Sequence, residues 1–150
     1  MYIDTVKEFH TLFEQPVLDK PTIPSQARCD LRCSLIEEEL KELKKAISEG
    51  DLVEMLDALG DLQYVLSGAI LEFGMKNIFN DAFSAIHKSN MSKACKTLQE
   101  VADTQAHYLR TDNVETYSVE RGDVWFVYRT HDKKLLKSVN YNAVDLKPFV

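Results

Sequence analysis

The segment Leu52–Phe73 restricts the fold more than any other part of the chain. It carries Leu52, Val53, Met55, Leu56, Leu59, Leu62, Val65, Leu66, Ile70, Leu71 and Phe73, so a helix here is apolar almost all round. Such a helix is expected in a core. At about 100° per residue, however, Glu54, Asp57, Asp61, Gly68 and Glu72 fall in one narrow stripe along it. An acidic line down a buried helix needs counter-charge, because an isolated ionised carboxylate in an apolar interior costs several kcal/mol.

The preceding helix offers more acid. Glu38, Glu39 and Glu42 lie on one side of a segment that opens near Ser25 and runs to about Ser48, while Ile36, Leu40, Leu43 and Ile47 form its apolar stripe. Leu31 and Leu35 share the glutamate side, so those acids border a second buried face. Lys44 and Lys45 turn away from it. Gly50 is placed to stop this helix and Asp51–Glu54 has capping-box spacing. The short turn makes the two helices antiparallel neighbours whose acidic faces converge. A cluster of hard oxygen ligands is what Mg²⁺ or Mn²⁺ takes. Glu54 has a second possible use as a capping residue. Arg28 and Arg32, one and two turns upstream of the glutamates, could meet phosphate or pair with an acid.

The motifs have a known counterpart. Glu38-Glu39-Leu40-Lys41-Glu42 has the form EExxE, Glu54-Met55-Leu56-Asp57 has the form ExxD, and Gly60-Asp61-Leu62 follows. This resembles the all-α nucleoside triphosphate pyrophosphohydrolase superfamily, MazG-like and phosphoribosyl-ATP pyrophosphohydrolase-like. The resemblance implies cleavage between the α and β phosphates with Mg²⁺ held by the motif carboxylates. It also implies a homodimer or homotetramer formed through the long apolar helices. Many members have Glu three residues before the Asp of the "LGD" segment; here that position is Ala58. Two pairings therefore stay open on the second helix, Glu54 with Asp57 or Asp57 with Asp61. Glu39, Glu42 and one of these acids are the expected metal ligands. Glu38 is the candidate for orienting or deprotonating the water, and its angle also permits ligation.

Two further segments resemble a phage and bacterial branch of the superfamily: His87-Lys88-Ser89-Asn90-Met91-Ser92-Lys93, and Leu136-Lys137-Ser138-Val139-Asn140-Tyr141. The resemblance implies substrate contact by Asn90 and Lys93, and closure of Lys137, Asn140 and Tyr141 over a nucleotide. A polar linker and a C-terminal strap are the structural alternatives.

The remaining chain reads as follows. Tyr2–Glu14 is an amphipathic helix with Ile3, Val6, Phe9, Leu12 and Phe13 on its apolar face. Pro16, Pro21 and Pro24 impose an extended connector. A fourth helix spans Ile78 to about Lys88, and a fifth starts at the capping box Thr97–Glu100 and runs to about Thr111. The period then changes to two, and Glu115–Val119, Val124–Thr130 and Leu135–Val139 predict a two- or three-stranded antiparallel meander.

The fold class expected is mainly α, a four- to five-helix core over 1–111 with a β appendage over 114–150, in a single domain. A net charge of −6 argues against general binding to nucleic acid or anionic membranes. No basic segment followed by an apolar run suggests a secretory leader, and acids interrupt the longest apolar run, so a cytoplasmic protein is expected. Cys29, Cys33 and Cys95 read as reduced thiols. There is no P-loop, no G-x-G-x-x-G and no nucleophile elbow. Three functions compete: a metal-dependent hydrolase of a nucleoside triphosphate, a phosphoribosyl-ATP pyrophosphohydrolase, and a helical adaptor docking a basic partner on its acidic face.

Overall fold

A computed structural model describes residues 2–150. It is mainly α: α1 (Tyr2–Leu12), α2 (Gln26–Glu49), α3 (Leu52–Glu72), α4 (Lys76–Met91) and α5 (Leu98–Asp112) precede β1 (Thr116–Arg121) and β2 (Val124–Arg129). The chain divides into two compact units, Met1–Asn80 and Asp81–Val150, and the boundary falls inside α4.

In the first unit α2 and α3 form an antiparallel hairpin, and α1 packs on α3. Gly50 makes the turn. Its φ of 69° is a left-handed conformation that costs glycine little. Its N–H reaches Ile47 O at 3.3 Å and the Asp51 N–H reaches Ala46 O at 3.0 Å, a Schellman stop. Asp51 then caps α3, its carboxylate accepting from the N–H groups of Val53 and Glu54. Ser25 stands at the start of α2, but its hydroxyl makes no capping bond.

The far end of α3 closes on Gly74 in the same way, with Met75 N–H on Ile70 O at 2.9 Å. Glycine is required there, since a Cβ would lie 1.9 Å from Lys20 O. The proline-containing connector runs across this end, bonding through Leu18 N–H to Leu71 O and Thr22 N–H to Phe73 O. Ile3, Val6, Ile70 and Leu71 form the core beneath it, with Val17, Met75 and Phe79 packed alongside.

Two expectations need correction. The first half of α3 is not buried within the chain: Leu52, Val53, Leu56 and Leu59 are all more than half exposed. Only Ala58 and the stretch from Ser67 to Glu72 are buried. Two neighbouring helices cannot cover every side of a third. On α1 itself the buried stripe is Ile3, Val6 and His10, while Phe9, Leu12 and Phe13 stay exposed.

In the second unit α5 packs on both strands. Its N-terminus is capped by Thr97, whose hydroxyl accepts from Glu100 N–H, while Glu100 accepts from Lys96 N–H. The hairpin pairs Thr116 with Arg129 and Arg121 with Val124, turning through Gly122 at φ 61°. The third strand of the expected meander is reduced to one bridge, Tyr128 with Leu135. Cys95, Val101, Val127 and Leu136 make this unit's core, flanked by Tyr108 and Trp125. All three cysteines are free thiols. α4 extends beyond its expected end, so the run from His87 begins inside a helix and leaves it only after Met91.

Candidate active site

The α2–α3 hairpin sets up two charge clusters by one rule. Its helices run in opposite directions, so facing positions pair Arg28 with Glu72, bring Arg32 over Gly68, and bring Glu39 within range of Asp61.

At the first cluster the charges cancel. Glu72 is 1% exposed and is held by the Nε groups of both Arg28 and Arg32, with Arg28 Nη2 adding a bond at 3.0 Å. Burial alone would raise the Glu72 carboxyl, but the hydrogen bonds from Arg28 and Arg32 outweigh it and hold it below the ordinary glutamate range. Glu72 therefore leaves the acidic stripe as a paired ion. Arg32, a candidate for phosphate, is buried and spends its guanidinium on this pair. Gly68 provides the space. A Cβ there would meet Arg32 Nη1 at 2.8 Å and His10 Nε2 at 3.0 Å. His10 is fixed through Nδ1, 2.9 Å from Pro16 O; a carbonyl only accepts, so Nδ1 carries the proton. Nothing in the local sequence marks His10, because its partner is a backbone carbonyl in the connector.

At the second cluster the charges do not cancel. Glu39 Oε2 is buried and has no hydrogen-bond partner. Burial raises the Glu39 carboxyl above its ordinary value, and the neighbouring charges of Asp61, Glu42, Glu38 and Asp57 push it the same way. From α3 it is thus Asp61 and Asp57 that act on Glu39. Glu54 lies further toward the turn with an exposed side chain, and Asp51 N–H is already taken by Ala46 O, so no reciprocal cap occupies the Glu54 carboxylate. An orphaned buried carboxylate oxygen among acids fits a hard divalent cation. Among the described residues no three carboxylates stand close enough to ligate one ion. Rotation of the long glutamate side chains would have to draw them together.

The second unit contains the other candidates, and it joins the two motif segments. Ser138 N–H bonds Lys93 O, Asn142 N–H bonds Ser92 Oγ, and the Ser89 hydroxyl donates to Asn142 O while standing 3.0 Å from the Tyr141 hydroxyl. Lys93 and Lys137 line one pocket. Lys93 Nζ bonds Asn90 Oδ1 at 2.8 Å, and Lys137 Nζ sits 4.3 Å from the centre of the Tyr141 ring. Asn140 is engaged elsewhere, donating to Glu100 Oε1 at 2.9 Å.

A sequence profile of the family described as phosphoribosyl-ATP pyrophosphohydrolase matches residues 6–90. The chain belongs to this family. The phosphoribosyl-ATP pyrophosphohydrolase match takes in the whole α2–α3 hairpin with both charge clusters, and it ends inside α4. The description of that family names a pyrophosphohydrolase. Enzymes of this type are generally dependent on a divalent metal, in agreement with the donor set around Glu39. A relative from Acanthamoeba polyphaga mimivirus, "Uncharacterized protein L479", is 30% identical over 139 residues, covering 91% of this chain but 46% of the relative. The chain thus spans about half the length of the curated relative it matches. No described helix is long and apolar enough to cross a membrane.

Proposed function

We propose that the chain hydrolyses a nucleoside triphosphate between its α and β phosphates, giving a nucleoside monophosphate and pyrophosphate. The observation that carries this is the orphaned Glu39 Oε2 inside a purely acidic cluster. Stability alone would favour a cation or a neutral side chain there; a cluster kept acidic suits a site that borrows its positive charge from Mg²⁺ or Mn²⁺. Glu39, Glu42, Asp57 and Asp61 would hold the metal, with Glu54 one turn further out. Such an ion, when bound, would supply Lewis acidity toward the phosphate oxygens and lower the pKa of a water.

Glu38 would orient a water and accept its proton as the water oxygen bonds to the α phosphorus. The bond from the α phosphorus to the bridging oxygen breaks, and the electron pair leaves with pyrophosphate. Within the second unit, Lys93 and Lys137 are assigned to phosphate, and Asn90, Asn140 and Tyr141 to ribose or base. Arg32 acts indirectly in this scheme, through Glu72. A second copy of the chain, covering Leu52, Val53, Leu56 and Leu59, would complete the burial of α3 in a cytoplasmic oligomer.

A second reading, phosphoribosyl-ATP as the substrate, is favoured by the description of the matched family. The test is pyrophosphate release from a panel of NTPs, dNTPs and phosphoribosyl-ATP with Mg²⁺, Mn²⁺ or EDTA, alongside Glu39→Gln and Asp61→Asn. Metal-dependent release from one substrate class, lost in both variants, supports the hydrolase and selects its substrate. Folded protein that turns over nothing and gains no thermal stability from metal would leave the acidic face as a docking surface for a basic partner.

A further inference from the structure

Charge is divided unevenly along the chain. Residues 1–80 carry 15 of the 24 acidic side chains and 8 of the 18 basic ones, so the second unit holds 9 acids and 10 bases. Within that unit the bases concentrate. A pocket of about 390 Å³ beside α5 and β2 is lined by Lys93, Arg129, Lys134 and Lys137, with Tyr108 on its wall and Asp112 contributing a carboxylate.

The surroundings of the three lysines differ in kind from those of the arginines of α2. Lys93 rests on a neutral amide oxygen and Lys137 on an aromatic face, so neither contact is with a carboxylate. The Lys134 ammonium has no carboxylate partner among the described residues. Arg129 is paired through Nε and Nη2 with Asp132, at 2.7 and 2.5 Å, which leaves Nη1 outside the pair. The backbone frame is fixed as well: Tyr108 OH donates to Lys137 O and lies 3.2 Å from Lys137 N, and Arg129 N–H bonds Lys134 O at 2.9 Å. Three ammonium groups therefore stand around one pocket against a single lining carboxylate. Like charges held this way repel one another, and an anion between them removes the repulsion. Several separate cations suit an anion with charge spread over linked groups, which is the form of an oligophosphate.

We propose that this pocket is a binding site for an oligophosphate anion, and that Lys134 and Arg129, both outside the family-matched segment, are members of it. The proposal deepens the phosphate role given above to Lys93 and Lys137, and rests on that reading only for the choice of probe. Its test is independent of turnover. Inorganic pyrophosphate is titrated into the full ¹⁵N-labelled chain in EDTA, and amide shifts are followed. Saturable shifts at Lys93, Arg129, Lys134 and Lys137 are expected, weakening with added salt. Lys134→Gln should lower the affinity by about tenfold, the scale of one charge-assisted contact, and Asp112→Asn should raise it. Binding is read in EDTA and turnover in Mg²⁺, so failure of the hydrolase reading and failure of this site are told apart. No saturable shift at these residues, or an affinity indifferent to both Lys134→Gln and Asp112→Asn, would overturn the proposal. So would tighter capture of a single-stranded oligonucleotide than of pyrophosphate by the same residues.

Discussion

The two charge clusters of the α2–α3 hairpin are built from the same helices and the same register, yet they end in opposite states. Around Glu72, two guanidinium groups satisfy one carboxylate that is almost sealed from solvent. Around Glu39, four carboxylates surround a fifth and an oxygen is left unpaired. The hairpin can therefore neutralise buried acid where it needs to, and the second cluster is a site where it does not. A paired buried acid and an unpaired acidic cluster thus stand along one pair of helices, a few turns apart.

The largest expected effect breaks the first half of this contrast. Glu72→Gln leaves two arginines, one of them buried, without a counter-charge, and should cost about 3–5 kcal/mol of unfolding free energy in urea titration. A loss below about 1 kcal/mol would mean that both guanidinium groups escape to water and that the pair is no lock.

Next in size is the response to metal. Mg²⁺ at 100 times its dissociation constant should stabilise the wild-type chain by about 2.7 kcal/mol. Glu39→Gln should abolish that gain and the turnover, yet melt no lower than wild type in EDTA, because it removes a charge that the cluster opposes. A metal-free Glu39→Gln chain that melts well below wild type would show that Glu39 is a structural residue.

Acid sharpens the comparison, because the two glutamates are shifted in opposite directions. The raised Glu39 carboxyl binds its proton more tightly folded than unfolded. Its contribution is thus full below the ordinary glutamate range and is lost as pH rises through the folded value. Glu72 is lowered, so its contribution is full above the ordinary range and is lost as pH falls through the folded value. In EDTA, Glu39→Gln should remove the loss of stability on the alkaline side of the window and leave the acid-side loss in place. Chemical denaturation across pH for both chains would show whether the two slopes separate.

The smallest effect concerns Gly68. Alanine raises helix propensity by about 1 kcal/mol, but its Cβ would press on Arg32 Nη1, which Glu72 restrains. A net loss of about 1 kcal/mol in urea is expected, within the usual range for overpacking. Net stabilisation would show that Arg32 yields freely.

Much of this was legible in the sequence, because it is written in local rules. Gly50 as a helix stop, Asp51 and Thr97 as caps, and the change of period after α5 all act within a few residues. The acidic cluster was legible for the same reason, as helical spacing on two segments joined by a tight turn. What escaped depends on distant partners. Glu72 belongs to the same stripe as Asp57 and Asp61, and nothing local marks it as the partner of Arg28, 44 positions away. The exposure of Leu52, Val53, Leu56 and Leu59 is set by how many neighbours α3 has, which periodicity does not count. Arg129 and Lys134 share a pocket with Lys93 only because the hairpin folds back beside α5.

The shared register of the two clusters has a consequence for how this hairpin can vary in length. One residue inserted between Arg32 and Glu39, or between Asp61 and Gly68, would rotate one cluster against the other by about 100°. If the arginines kept their hold on Glu72, the acids of α2 and α3 would no longer face each other; if the acids kept facing, the arginines would lose their grip. The hairpin therefore works as a ruler with two marks, and insertions or deletions should be tolerated only outside the interval the marks enclose, in segments such as the proline connector.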